Sequence, residues 1–284
     1  MSKVNAYCRR WKRAVRLLNQ GGFVRLSTRQ KEILAYLEQA HGVLSSTLLA
    51  EQFAVSVQTI RKDMNELSDL GMVKRVHGGV TLPSTNDNLS FTNREMLNLS
   101  AKQHIAQVVV SHIPEGSSIF LGIGTTPKHV AQALLDHPGL TVVTNNINAA
   151  LTLSRNPNIV VYMAGGMVRP SDEDTVGEST TTFYRQFNIQ IGIFGVGGLN
   201  TQGQMLDFTP EEAHLNRAII EQSQQIWIVA DHSKLGRYAP VVSGNLSEAD
   251  TLFVDQLTPP LAKLAQNAQV KIIAALENED ISCP

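Results

Sequence analysis

The chain carries two cysteines, Cys8 and Cys283, at opposite ends of its 284 residues. They form no metal-binding spacing and no disulfide framework, so a reducing cytoplasm is the expected setting. Long hydrophobic runs are also missing. The most apolar stretches, such as "IVVYMAGG" and "QIWIVAD", are strand-sized and fall short of the roughly 20 residues that cross a bilayer, so no membrane partner is expected. No metal cluster, nucleophile elbow or cofactor loop is present, and no cofactor is expected. "GIGTTP" (122–127) lacks the third glycine of a dinucleotide fingerprint and the Gly-Lys-Ser/Thr ending of a P-loop. There is no tandem repeat or low-complexity tract.

Acidic residues are absent from residues 1–26, which hold Arg9, Arg10, Lys12, Arg13, Arg16 and Arg25. No continuous apolar core follows, so this is not a secretory signal. The segment 1–27 reads either as a basic arm that tracks phosphates or as an over-extended start, because organised patterning begins at Ser27. The formal charge of −1 hides an asymmetry. Residues 1–81 hold 13 Lys+Arg against 6 Asp+Glu, and the rest hold 11 against 19. A basic front end on an acidic body suggests that the front end alone meets a polyanion.

What is present begins with helical periodicity. Ile33, Leu34 and Leu37 mark a helix over 28–40. Ser45 or Ser46 caps a second helix bearing Leu48, Leu49 and Phe53. After a tight turn at Ala54-Val55, Ser56 caps a third, "SVQTIRKDMNEL". Ile60, Met64 and Leu67 fall on its inner face, leaving Gln58, Thr59, Arg61, Lys62 and Asn65 outside. "GMVKRVHGGV" (71–80) then suits two short strands and a Gly78-Gly79 turn. This is a winged helix-turn-helix over 28–82. In that motif the third helix enters the major groove. Gln suits adenine, Arg suits guanine and Thr offers a hydroxyl or methyl contact. Lys62 and Asn65 suit phosphates, and Lys74, Arg75 and His77 would reach the flanking backbone or minor groove. The competing reading is a solvated helix face on a protein-binding module, which predicts no DNA affinity at any salt concentration.

A polar linker is expected over 83–99, then a second domain over 100–276 and a tail at 277–284. Strand candidates at 118–123, 141–144, 159–163, 191–196, 225–230, 251–254 and 271–274 alternate with helix candidates at 100–112, 127–135, 147–154, 179–187, 211–222 and 259–267. This alternation, with strands apolar throughout, implies an α/β domain with a mostly parallel sheet covered on both faces. Ligands of such sheets sit beyond the C-terminal strand ends. Those ends carry Gly124-Thr125-Thr126, Asn145-Asn146, Gly165-Gly166, Gly197-Gly198 and a loop with Lys234. Glycine N–H groups and a helix N-terminus near Pro127 favour a phosphate. Lys234 would add a full charge, and the asparagines suit sugar or polyol hydroxyls.

The head "SVQTIRKDMNEL…GMVKRVHGG" resembles that of the DeoR family of bacterial transcription regulators. "GIGTTP", "TNNINAA", "AGGMVR", "VGE", "GVGGLN" and "DHSKLGR" continue the resemblance across residues 28–275. It is nearest to the glycerol-3-phosphate regulon repressor subgroup. The resemblance implies a dimeric or tetrameric repressor that leaves its operator when a phosphorylated metabolite binds. It also implies a sensor similar to the pentose-phosphate isomerase and CoA-transferase fold, with Glu212 and Arg217 in family positions. Three positions depart from the family. Gly122 stands where many relatives have Asp, Asn216 where they often have Lys, and Thr209 where the subgroup has Asp. These carry over the pocket without naming its ligand. The alternative is a sugar-phosphate isomerase or transferase with a DNA-binding head, for which Asp207 or Glu212 would be the general base.

Overall fold

The structure is a computed structural model and describes residues 26–40, 44–70, 72–76, 79–81 and 91–275. The N-terminal arm, His77, residues 83–90 of the expected linker and the C-terminal tail lie outside the described residues. The chain divides into two compact units, Met1–Leu82 and Pro83–Pro284.

In the first unit, helices α1 (Thr28–Ala40), α2 (Ser46–Gln52) and α3 (Val57–Asp69) surround Ile33, Leu37, Leu49, Ile60 and Leu67, all at most 1% exposed. Ser45 caps α2 and Ser56 caps α3, each side chain accepting an N–H from its helix's first turn at 3.1 Å. That satisfies donors which helix starts otherwise leave unpaired. The wing contains strands β2 (Lys74–Val76) and β3 (Gly79–Thr81), as expected, but a third strand, β1 (Leu44–Ser45), completes an antiparallel sheet ordered β1-β3-β2. Two residues are too few to show a period. The pairing depends on Gly79, where a Cβ would stand 2.2 Å from the Leu44 carbonyl oxygen.

A polar seam between α1 and α3 was not anticipated. Asp63 is 5% exposed and accepts from Arg29 Nε at 2.6 Å, and Gln30 Nε2 donates to Glu66 at 2.7 Å. These contacts fix the roll of α3 about its axis and hence the side chains it presents outward.

In the second unit, all seven expected strands form one parallel sheet: β4 (Ser118–Leu121), β5 (Leu140–Thr144), β6 (Ile159–Met163), β9 (Ile189–Phe194), β12 (Ser223–Val229), β14 (Thr251–Val254) and β15 (Lys271–Ala274). Their order is β15-β14-β12-β9-β4-β5-β6. Alternate residues face opposite layers. Phe120, Val143 and Phe194 pack with α8 (Glu178–Tyr184), α9 (Pro210–Glu221) and α10 (Pro259–Ala268). Ile119, Val142 and Ile193 pack with α5 (Leu99–Ser111), α6 (Thr125–Ala133) and α7 (Ile147–Leu153). The chain runs outward from β4 through β5 to β6, then returns to β9 on β4's other edge. The order therefore reverses between β4 and β9, and the crevice beyond such a switch point is where open α/β sheets bind ligands.

Two small additions have no counterpart in the sequence reading. One is the hairpin β7 (Met167–Arg169) and β8 (Asp174–Val176). The other is an antiparallel sheet of β10 (Gly198–Leu199), β11 (Gln204–Asp207) and β13 (Val241–Asn245). The expected linker 83–99 is corrected as well, because Phe91–Met96 is a helix, α4, of this second unit. Phe91 is only 2% exposed.

Candidate functional site

Two sites are assembled, one in each unit. On α3, Gln58, Arg61, Lys62 and Asn65 are exposed. Ser56 and Thr59 are occupied locally: the Ser56 hydroxyl caps the Thr59 N–H, and the two hydroxyls lie 2.8 Å apart. Asn65 Oδ1 accepts from Arg75 on the wing, so these two candidates form one unit rather than two independent contacts. Lys62 lies 4.0 Å from Glu66, one turn on. Lys74 is exposed on β2. Gln58 and Arg61 are thus the exposed candidates on α3 without a side-chain hydrogen bond or ion pair to another described residue.

In the second unit a cleft opens at the switch point. The loops after β4 and β9 line it with Ile123–Pro127 and Gly195–Gly197, joined by Arg94, Asp172, Asp174, Asp207, Phe208, Glu212 and Lys234. Helix α6 begins at Thr125, two residues earlier than expected, after Gly124 at φ +105°. No side chain caps it, so its first N–H groups and positive dipole end are directed at the cleft. Gly122 has a packing role. A Cβ there would stand 2.7 Å from Phe194 Cβ, which leaves no room for the aspartate of the family pattern.

The cleft carries charges of both signs. Lys234 has Arg94, Lys102 and Arg237 close enough to act on it. Burial pushes the Lys234 ammonium down to about 7; Asp231 opposes this, and the three cations reinforce it. Asp231 is itself buried, yet Lys234, Lys102 and hydrogen bonds from Ser233 and Asn98 hold it down to about 2. Arg237 lies 4.8 Å from the centre of the Phe208 ring. Carboxylates line the cleft as well. Burial pushes Asp207 up to about 6, even though it accepts from the Gly197 N–H at 3.2 Å and from Asn216 Nδ2 at 2.8 Å. Arg169 joins Asp174 at 2.6 Å to Glu212 at 2.9 Å.

Six effector candidates line this cleft: Gly124, Thr125, Thr126, Gly197, Glu212 and Lys234. Five do not. Asn145 is fully buried, donating to Thr175 O at 2.6 Å and accepting from Tyr184 Oη at 2.9 Å. Asn146 caps α7 through the Ala149 N–H. Gly165 offers its carbonyl to Thr180 Oγ1. At Gly166 a Cβ would stand 2.2 Å from that same hydroxyl, and at Gly198 one would stand 2.1 Å from Arg237 O. These five hold the walls in place. Arg94, Asp172 and Asp174 escaped the sequence reading because α4 and the β7–β8 hairpin are too short to show a period.

Glu212 has both oxygens committed. Oε1 accepts from Arg169, and Oε2 accepts the N–H groups of Phe208 and Thr209 in a capping box with the Thr209 hydroxyl. Glu212→Gln is expected to lower stability by about 1–2 kcal/mol, the scale of a lost charge-assisted bond plus a weakened cap. Chemical denaturation checks this, and an unchanged midpoint would show that neither contact stabilises the fold.

Residues 29–86 match the DeoR-like helix-turn-helix domain family, and residues 97–256 match the DeoR C terminal sensor domain. The glycerol-3-phosphate regulon repressor of Escherichia coli (strain K12) is 41% identical over 230 residues, covering 81% of this chain and 90% of that protein. The protein of the same name from Haemophilus influenzae is 40% identical over 247 residues, covering 87% and 96%. The HTH-type transcriptional repressor CsqR of Escherichia coli (strain K12) is 35% identical over 246 residues, covering 86% and 94%. Among solved structures, ribose 5 phosphate isomerase A from Neisseria gonorrhoeae is 18% identical with a TM-score of 0.36, over 52% of this chain and 56% of that one. The fold described above rests on its own strand order.

Proposed function

This chain belongs to the DeoR family of DNA-binding transcriptional regulators, and we propose that it represses a carbohydrate or polyol catabolic operon until a phosphorylated polyol or sugar binds the cleft. The lining of the cleft carries this reading. An uncapped helix start, Lys234 and Arg94 suit a phosphate, and the carboxylates Asp207 and Glu212, which line the same cleft, suit hydroxyls. The names of the relatives favour glycerol 3-phosphate as the first ligand to try. The setting is the cytoplasm, and the working form is a homo-oligomer, dimer or tetramer, with paired heads on operator DNA. An effector shifts this equilibrium only through different affinities for the bound and free geometries.

The test is a gel shift on promoter fragments from the gene's own neighbourhood. Glycerol 3-phosphate and hexose phosphates are the probes, with glycerol and inorganic phosphate as controls. Release by a phosphorylated probe alone supports the reading; release by none, or equally by glycerol, overturns it. The enzyme alternative needs a general base, but Asp207 and Glu212 are both committed to hydrogen bonds within the protein. Substantial turnover of pentose or triose phosphates by the purified protein, lost in Glu212→Gln, would reinstate it.

A further inference from the structure

Helix α4 and the residues just after it are fastened to two loops and one helix that build the cleft. The Phe91 N–H donates to Ser171 O at 3.2 Å, and Arg94 Nη2 donates to Asp172 Oδ1, both in the β7–β8 turn. Glu95 pairs with Lys128 of α6 at 2.7 Å. Lys128 also lies 5.1 Å from the centre of the Phe91 ring. Just beyond the helix, Asn98 Nδ2 donates to Asp231 Oδ1 at 2.9 Å, in the loop that carries Lys234. Lys102 Nζ reaches back to the carbonyls of Arg94 and Leu97. Segment 91–98 therefore behaves as a strap held by polar contacts, with Phe91 as its apolar anchor.

Arg94 is the strap residue that lines the cleft. Its side chain is 18% exposed, and its Nε is buried with no hydrogen-bond partner among the described residues. Buried donors are normally satisfied. A guanidinium also presents a fork that matches two oxygens of a phosphate or carboxylate. Among the described residues the guanidinium makes one hydrogen bond, to Asp172, so part of that fork is unused.

We propose that Arg94 binds the effector's anionic group, exchanging Asp172 for it, and that this exchange slackens the strap. The inference rests on the reading of the cleft as a phosphate-ester site. By sequence, α4 is the first described element after the wing strand Gly79–Thr81. Slackening it alters the restraint at the point where the sensor joins the chain leading from the DNA-reading unit.

If Arg94 and Asp172 form only a structural bridge, breaking it from either side has the same consequence. Under the exchange, the two sides give opposite results. Asp172 competes with the effector for Arg94, so removing its charge frees the guanidinium. The experiment is calorimetric titration of the full-length protein with glycerol 3-phosphate, hexose phosphates and inorganic phosphate, beside a gel shift without effector. Arg94→Ala is expected to weaken binding of the phosphate ester by roughly tenfold or more, the loss of one charge-assisted pair. Asp172→Asn is expected to tighten it several-fold and to weaken DNA binding in the absence of effector. Arg94→Lys, which keeps the charge without the fork, should fall between wild type and Ala, and serves if Arg94→Ala does not fold. Weaker effector binding in Asp172→Asn, or unchanged binding in Arg94→Ala, overturns the exchange. Loss of binding in Lys234→Ala, together with neutral Arg94 variants, would sink this inference alone. No binding of any phosphate probe by wild type would sink the cleft reading with it.

Discussion

Lys234→Ala is expected to leave operator binding intact while weakening the effector by roughly 100-fold, the scale of removing one partner from a buried hydrogen-bonded charge pair. The lysine lines the cleft with its ammonium among Arg94, Lys102 and Arg237, and Asp231 opposes them. Burial and those cations bring it down to about 7, so in the empty site it is charged below that pH and largely neutral above it. A bound phosphate favours the charged form and raises the pKa again. Binding above pH 7 must therefore take up a proton, and affinity falls by up to about tenfold per pH unit. On the acid side, the phosphate ester gains its second negative charge near pH 6. The optimum thus lies between about pH 6 and 7. Lys234→Arg should hold affinity level above pH 7, because a guanidinium stays charged. Calorimetry from pH 5.5 to 9 on wild type and both variants measures this. A wild-type affinity that stays level to pH 9, or an alanine variant that responds normally, would remove Lys234 from the site.

Arg61→Ala is expected to weaken specific operator binding by about 1–3 kcal/mol, the value of one base-reading contact, while barely changing affinity for random DNA. The grounds are positional. Ile60, Met64 and Leu67 are buried, and Asp63 is tied to Arg29, so α3 can turn only one face outward. On that face Asn65 is engaged by Arg75 and Thr59 by Ser56, which leaves Gln58 and Arg61 to read bases. Lys74→Ala provides the contrast. As a phosphate contact it should weaken both kinds of DNA alike and lower the salt slope by about one. Quantitative gel shifts at two salt concentrations separate the variants. Equal losses on operator and random DNA in Arg61→Ala would make that residue a backbone contact.

The sequence was most informative where structure is local. Every strand of the large sheet contains an apolar run, and both head caps are serines directly before a periodic segment. Three residues, Asn145, Asn146 and Asp63, show where that legibility stopped. Asn145 and Asn146 follow a strand end just as Thr125 and Thr126 do, yet they bind Tyr184, Thr175 and α7 instead of lining the cleft. What separates the pairs is strand position. Thr125 and Thr126 follow β4, which borders the switch point, whereas Asn145 follows β5, one strand further out. Asp63 gave no sign of being buried, because its partner Arg29 lies 34 residues away.

From sequence alone came the two-part plan, the reading helix and its exposed face, the parallel sheet and the family. These rest on period, caps and apolar runs, all properties of neighbouring residues. Tertiary structure decided which strand ends share a cleft, that Arg94 and four acidic side chains line it, and that burial lowers the pKa of Lys234. Strand order and burial come from pairings between distant segments, and no local pattern carries them.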